Sequence, residues 1–99
     1  MICRLWRGLT RSEEAEHYVE HLHRQTLPRL RELPGYVGAS ILRRQVDRGA
    51  EFLVVTRWES MQAIGQFAGA DYTVAVVPAE VQRMMIDYDR SVRHYEVIE

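Results

Sequence analysis

The stretch FLVVTRWESMQAIGQFAG, residues 52–69, decides the fold. Its first half is β-branched and aromatic, and with Glu51 it reads as a strand, Glu51–Trp58. Phe52, Val54, Thr56 and Trp58 share one strand parity and are assigned to the side that faces helices. The second half predicts a short amphipathic helix, Ser60–Ala68: Ser60 is a good N-cap, Met61, Ile64 and Phe67 recur at helical spacing, and Gly69 stops it. A tryptophan at a strand end just before a helix sits where small α+β domains open a ligand pocket.

Working outward from that stretch, Asp47–Ala50 is a turn, with Gly49 suited to positive φ. Before it, Tyr36–Val46 forms a strand and a hairpin with Glu51–Trp58. At the N-terminus, Ile2–Leu9 reads as a first strand, with Ile2, Arg4 and Trp6 on one face and Cys3, Leu5 and Arg7 on the other. Thr10-Arg-Ser-Glu13 has the form of a capping box. Ala15, Tyr18, Val19, Leu22, Thr26, Leu30 and Leu33 then follow at helical spacing. That long helix should kink or loosen near Pro28 and end at Pro34-Gly35. After Gly69, Ala70–Met85 carries a second short helix that begins near Pro78 and reaches Met85, and Asp89–Ile98 is the last strand.

The order strand, helix, strand, strand, helix, strand predicts a single domain over residues 1–99 of the α+β class. It is the ferredoxin-like split βαβ arrangement, a four-stranded antiparallel sheet with helices on one face. The uncovered face would carry Val37, Ile41, Leu53, Val55 and Val97. Burying it against a second copy is the simplest remedy, so a homodimer through the open sheet face is expected.

Composition excludes several function classes. A net charge of −1 argues against a nucleic-acid footprint. All the basic side chains other than histidine are arginine, which removes Schiff-base chemistry and a phosphate-binding lysine. Cys3 is the one cysteine, so there is no intrachain disulfide and no multi-thiolate zinc site, and a buried, inert thiol is expected. Arg4 and Arg7 interrupt any signal-peptide core and no apolar run spans a membrane, so the expectation is a cytoplasmic protein.

Several residues could carry chemistry. His94 in the last strand is a candidate base, or a histidine hydrogen-bonded across the sheet or dimer interface. Trp58 could stack on a planar ligand or close the core. Asp71 could cap a local turn or hold His94 in one tautomer, and Tyr72 lies beside it. Tyr36 could wall a pocket, Arg43 or Tyr72 could donate to an oxyanion, and His23 could touch a cavity edge. His17 and His21, spaced i, i+4, could bind a metal, but they point away from the predicted core into a sector shared with Glu13, Glu20 and Arg24. A solvated, salt-bridged face is the expectation there, with no metal site.

Three segments, 52–69, Pro34-Gly-Tyr-Val-Gly-Ala39 and Val92-Arg-His-Tyr-Glu-Val97, resemble the antibiotic biosynthesis monooxygenase-like family. The resemblance implies a dimeric α+β barrel and a cofactor-independent oxygenase of an aromatic or enolisable small molecule, with no cofactor. Trp58 matches the family's strand-end tryptophan. The family's oxygenases carry an asparagine four residues earlier, where this chain has Val54. Its haem degraders use a first-strand asparagine and a histidine on the helix after the tryptophan; this chain has no asparagine, and 60–77 has no histidine. A non-catalytic ligand-binding dimer, or haem binding through His17, His21 or His94, stands as the alternative.

Overall fold

The computed structural model describes all 99 residues. Strand β1, Ile2–Thr10, runs at the centre of the sheet, because hairpin β2 (Tyr36–Val46) and β3 (Gly49–Trp58) adds to one side and the C-terminal strands add to the other. The order is β2-β3-β1-β4, all antiparallel, which is the ferredoxin-like order. Gly49 makes the hairpin possible: its φ is 156°, and a Cβ there would meet the Thr10 carbonyl oxygen at 2.0 Å.

The last strand is split, so the sheet has five strands where four were expected. β4, Met85–Tyr88, pairs with the C-terminal end of β1, and β5, Arg93–Glu96, pairs with its N-terminal end. Between them the backbone turns to another partner. Ala75 N–H donates to Arg90 O, Val92 N–H donates to Thr73 O, and Val74 bridges Ser91. Met85 therefore belongs to a strand, and the preceding helix α4 spans only Ala79–Met84.

The long helix is loosened as expected. α1, Ala15–His21, passes into a π turn over Leu22–Thr26 and then α2, Leu27–Arg31. The π turn ends just before Pro28, whose missing amide donor leaves the i→i−4 ladder without its next bond. The expected capping box does not form. Thr10 stays in β1, fully buried, with Oγ1 donating to Ala50 O at 3.5 Å, and Arg11 takes the cap position without a side-chain bond. α3, Met61–Ala68, is capped as expected, with Ala63 N–H donating to Ser60 Oγ at 3.1 Å.

Helices cover one face of the sheet. One core cluster gathers Trp6, Tyr18, Leu22, Phe52, Val81, Met85 and Val92 under α1 and α4. A second gathers Leu27, Leu30, Trp58, Ala63 and Ile64 under α2 and α3. Ile41 lies opposite Val54 and packs against the first cluster, so it belongs to the helix side and not to the open face. The open face carries Leu5, Leu53 and Val55, half-buried, with Leu42 50% and Tyr95 51% exposed. Cys3, opposite Tyr95 and Arg57, also lies there, half-buried rather than enclosed. No helix is long and apolar enough to cross a membrane.

Candidate active site

Where β1, the π turn and α4 meet, the helix and sheet layers leave a cavity of about 70 Å³. Trp6, Val54 and Thr56 form its sheet wall, Tyr18, His21, Leu22 and Thr26 its helical wall, and Val76, Val77, Pro78 and Val81 its cover. An apolar cavity of roughly 150 Å³ holds a benzene ring. An aromatic ligand therefore enters this one only if the covering segment shifts outward.

Arg4 is the site's dominant charge. It lines the cavity and is only 4% exposed. Five other arginines make ion pairs with carboxylates; Arg4 makes none. Its guanidinium donates to Tyr72 O at 2.6 Å, Val74 O at 3.0 Å and His94 Nε2 at 3.1 Å, and it lies 5.8 Å from the Phe67 ring centroid. Burial pulls its pKa down to about 10, so it remains a cation at neutral pH. Arg4 is thus a buried cation on the cavity wall, satisfied by carbonyls and an imidazole and without a carboxylate partner. Its one sequence signal was parity, which set Arg4 between Ile2 and Trp6 on the helix side.

His94 is drawn into this site as a partner of Arg4. A guanidinium has no lone pair to offer, so Nε2 is the acceptor and the ring proton sits on Nδ1. Burial first, and the Arg4 charge second, hold its pKa below the ordinary 6.5. The ring is neutral at pH 7, but the lone pair a base would use is already engaged.

The other predicted residues take different positions. Trp58 is fully buried and does not line the cavity: its Nε1 donates to Thr56 Oγ1 at 2.8 Å, and it packs against Tyr36 and Phe67. It backs Thr56 and Phe67, which do line it. Tyr36 sits edge-on to Trp58, outside the cavity, and burial raises its pKa against the opposing charges of Arg31 and Arg57. Asp71 is exposed and accepts from Thr73 N–H and Oγ1, which lowers its pKa; it holds a turn, not His94. Tyr72 contributes its carbonyl to Arg4, while its ring lies over Gly65. Arg43 is paired with Glu16 at 2.6 Å, and it shares with the exposed His23 a second, polar-lined hollow of about 340 Å³ beside Val19 and Ile41.

His17 and His21 part company. His17 is exposed and lies 3.0 Å from Glu14, as a solvated face requires. His21 is 8% exposed, stacks on Tyr18 and lines the cavity, because α4 packs over the flank that the helical wheel left open. No three His, Cys, Asp or Glu side chains are gathered to hold a metal ion.

Comparisons with known proteins agree with this architecture. A solved antibiotic biosynthesis monooxygenase superimposes with a TM-score of 0.71 at 16% identity, covering 100% of both chains. The haem degrader MhuD from Mycobacterium tuberculosis, solved with two haems in its active site, gives 0.59 at 17% identity, covering 100% of this chain and 97% of that one. The monooxygenase ActVA-Orf6 of Streptomyces coelicolor, solved with nanaomycin D, gives 0.52 at 24% identity over 71% of this chain and 62% of that one. At these identities the likeness is one of fold. No curated protein matches the chain. Residues 1–79 match the antibiotic biosynthesis monooxygenase family profile, and the chain belongs to that family.

Proposed function

We propose that this protein is a cofactor-independent oxygenase whose substrate is an aromatic or enolisable small molecule that develops negative charge on an oxygen. One observation carries the reading: the buried, carboxylate-free guanidinium of Arg4 on an otherwise mostly apolar cavity. Such chemistry needs a dry pocket and a fixed donor for the oxyanion, because the deprotonated substrate itself supplies the electron to O2. Val54 lines this cavity at the position where the resembled oxygenases carry asparagine, and Arg4 lies one strand over, opposite Thr56. The polar function then falls to β1. A porphyrin would need a far wider opening of the cover than an anthrone, and His94 Nε2, one of the candidate ligands, is held by Arg4.

Arg4 also ties down the cavity's cover through the carbonyls of Tyr72 and Val74. An anion taken up by the guanidinium competes with those carbonyls, so binding and the outward shift of the covering segment are linked. The test is oxygen uptake with an anthrone. Each O2 consumed should yield one quinone, with one oxygen atom in the new carbonyl and the other in water. Arg4→Gln should lose at least about tenfold in kcat/KM. Tight binding of the anthrone without oxygen uptake would instead support the non-catalytic ligand-binding reading.

A second copy is the partner that best fits the open face, where Leu42 and Tyr95 are half exposed beside Leu5, Leu53 and Val55. Light scattering should give twice the chain mass of 11.6 kDa; a monomer at micromolar concentration sinks this reading.

A further inference from the structure

We infer that His21, aimed by Glu80, is the base of this site, and that the ligand is an enolisable ketone deprotonated at the His21 end with its oxygen held at the Arg4 end. The inference rests on the proposed small-molecule reading of the cavity and names the base and substrate class within it.

The observations are geometric. His21 is 8% exposed and lines the cavity. Its Nδ1 lies 3.5 Å from Glu80 Oε1, while Nε2 takes no partner within the chain. At this distance the two make no hydrogen bond; shortened on ligand binding, a carboxylate on that side would hold the proton on Nδ1 and leave the Nε2 lone pair for the substrate. His94 lacks this freedom, since Arg4 donates to its Nε2. Beside His21, Tyr18 is 3% exposed and its hydroxyl makes no hydrogen bond within the chain. No fully enclosed polar atom is left unpaired, so that hydroxyl keeps some exposure, on a residue that lines the cavity. Burial raises the Tyr18 pKa, which keeps the hydroxyl a neutral donor. The charged and titratable groups facing His21 are Glu80 on α4, Tyr18 on its own helix and Arg4 across the cavity.

One cavity is thus lined both by an imidazole whose Nε2 has no partner within the chain and by a cation without a carboxylate partner. An enolisable ketone uses both. Nε2 takes the proton of the C–H next to the carbonyl or conjugated with it. The C–H electron pair becomes the new C=C bond, and the C=O pair moves to oxygen as an enolate facing Arg4. Nδ1–H, now part of an imidazolium, is held by Glu80. No oxidant enters this step.

The experiment follows proton exchange of 2-tetralone by NMR in anaerobic D2O. The wild-type protein should accelerate exchange, and His21→Gln should lose at least about a hundredfold while still binding the ketone. Glu80→Gln alters an exposed carboxylate and so preserves folding; it should lose about tenfold and shift the pH profile of exchange. Added imidazole should restore exchange in His21→Ala, a rescue that a packing role would not give. His17→Gln should exchange as wild type. Full exchange in folded His21→Gln, or unchanged rate and pH profile in Glu80→Gln, overturns the inference. So does a wild-type protein that leaves the ketone unexchanged. Exchange without oxygen uptake in the presence of the anthrone counts only against the oxygenase reading. Oxygen uptake that survives His21→Gln counts only against His21 as base.

Discussion

Trp6 and Trp58 stand on the same face of the same sheet, on neighbouring strands, yet one lines a cavity and the other closes a core. The difference lies in what covers them. Trp58 is followed at once by α3, whose Ala63 and Ile64 drop onto the indole, and Leu27 and Leu30 of α2 fill the remainder. Trp6 is covered by chain from much further along, α4 and the irregular residues before it, which meet the sheet through Val81, Val77 and the carbonyls held by Arg4. A helix continuing directly from its strand packs without gaps. A cover that arrives from a distant segment leaves space, and that space is the cavity in which the proposed ligand would bind.

Removing the closed side should cost most. Trp58→Ala empties a fully buried site and strands Thr56 Oγ1, for a loss of about 3–5 kcal/mol in urea unfolding. A loss under about 1 kcal/mol would mean that the Trp58 side is no better packed than the cavity side. A smaller and sharper contrast comes from adding carbon to each side. Ala63→Val, in the filled cluster against Gly35, should destabilise by about 1–3 kcal/mol. Val54→Ile, facing the cavity, should be neutral within about 0.5 kcal/mol or slightly stabilising, and should weaken ligand binding. Equal costs at the two positions would erase the distinction. The smallest effect is on pH dependence. His94 beside Arg4 titrates below 6.5 in the folded state, so the unfolded chain binds more protons in that window. Stability from this group is full above pH 6.5 and falls as pH drops through the folded value; His94→Gln should flatten that acid limb in thermal melts. An unchanged limb would show that the Arg4–His94 contact does not persist in solution.

The sequence made the closed side legible and the open side obscure, for a physical reason. Glu51–Trp58, the Ser60 cap and the stop at Gly69 are local features, and strand parity alone set Phe52, Val54, Thr56 and Trp58 on the helix side. Arg4 shared that parity with Trp6, but nothing periodic in 70–78 announced that the carbonyls of Tyr72 and Val74 would receive its guanidinium. His21 sits three residues after Tyr18, at roughly 100° per residue only about 60° from it around the helix. That is the flank of the apolar stripe, and α4 brings the flank indoors. Trp58 misled because a strand end marks the rim of a layer only when no helix folds back over it. Asp71 and His94 are near each other in neither sequence nor bonding, and each found a stronger local or cross-strand partner.

The divided edge formed by β4 and β5 has a bearing on how the molecule behaves at high concentration. An unbroken border strand offers a continuous row of free amides and carbonyls on which further chains can add one after another. Here the row is cut into two runs of four residues, and the residues between them bond inward to 73–75. Such short runs template open-ended growth poorly, so that border is guarded, whereas the opposite border, β2, is an unbroken strand of 11 residues and is the side on which a further strand would add.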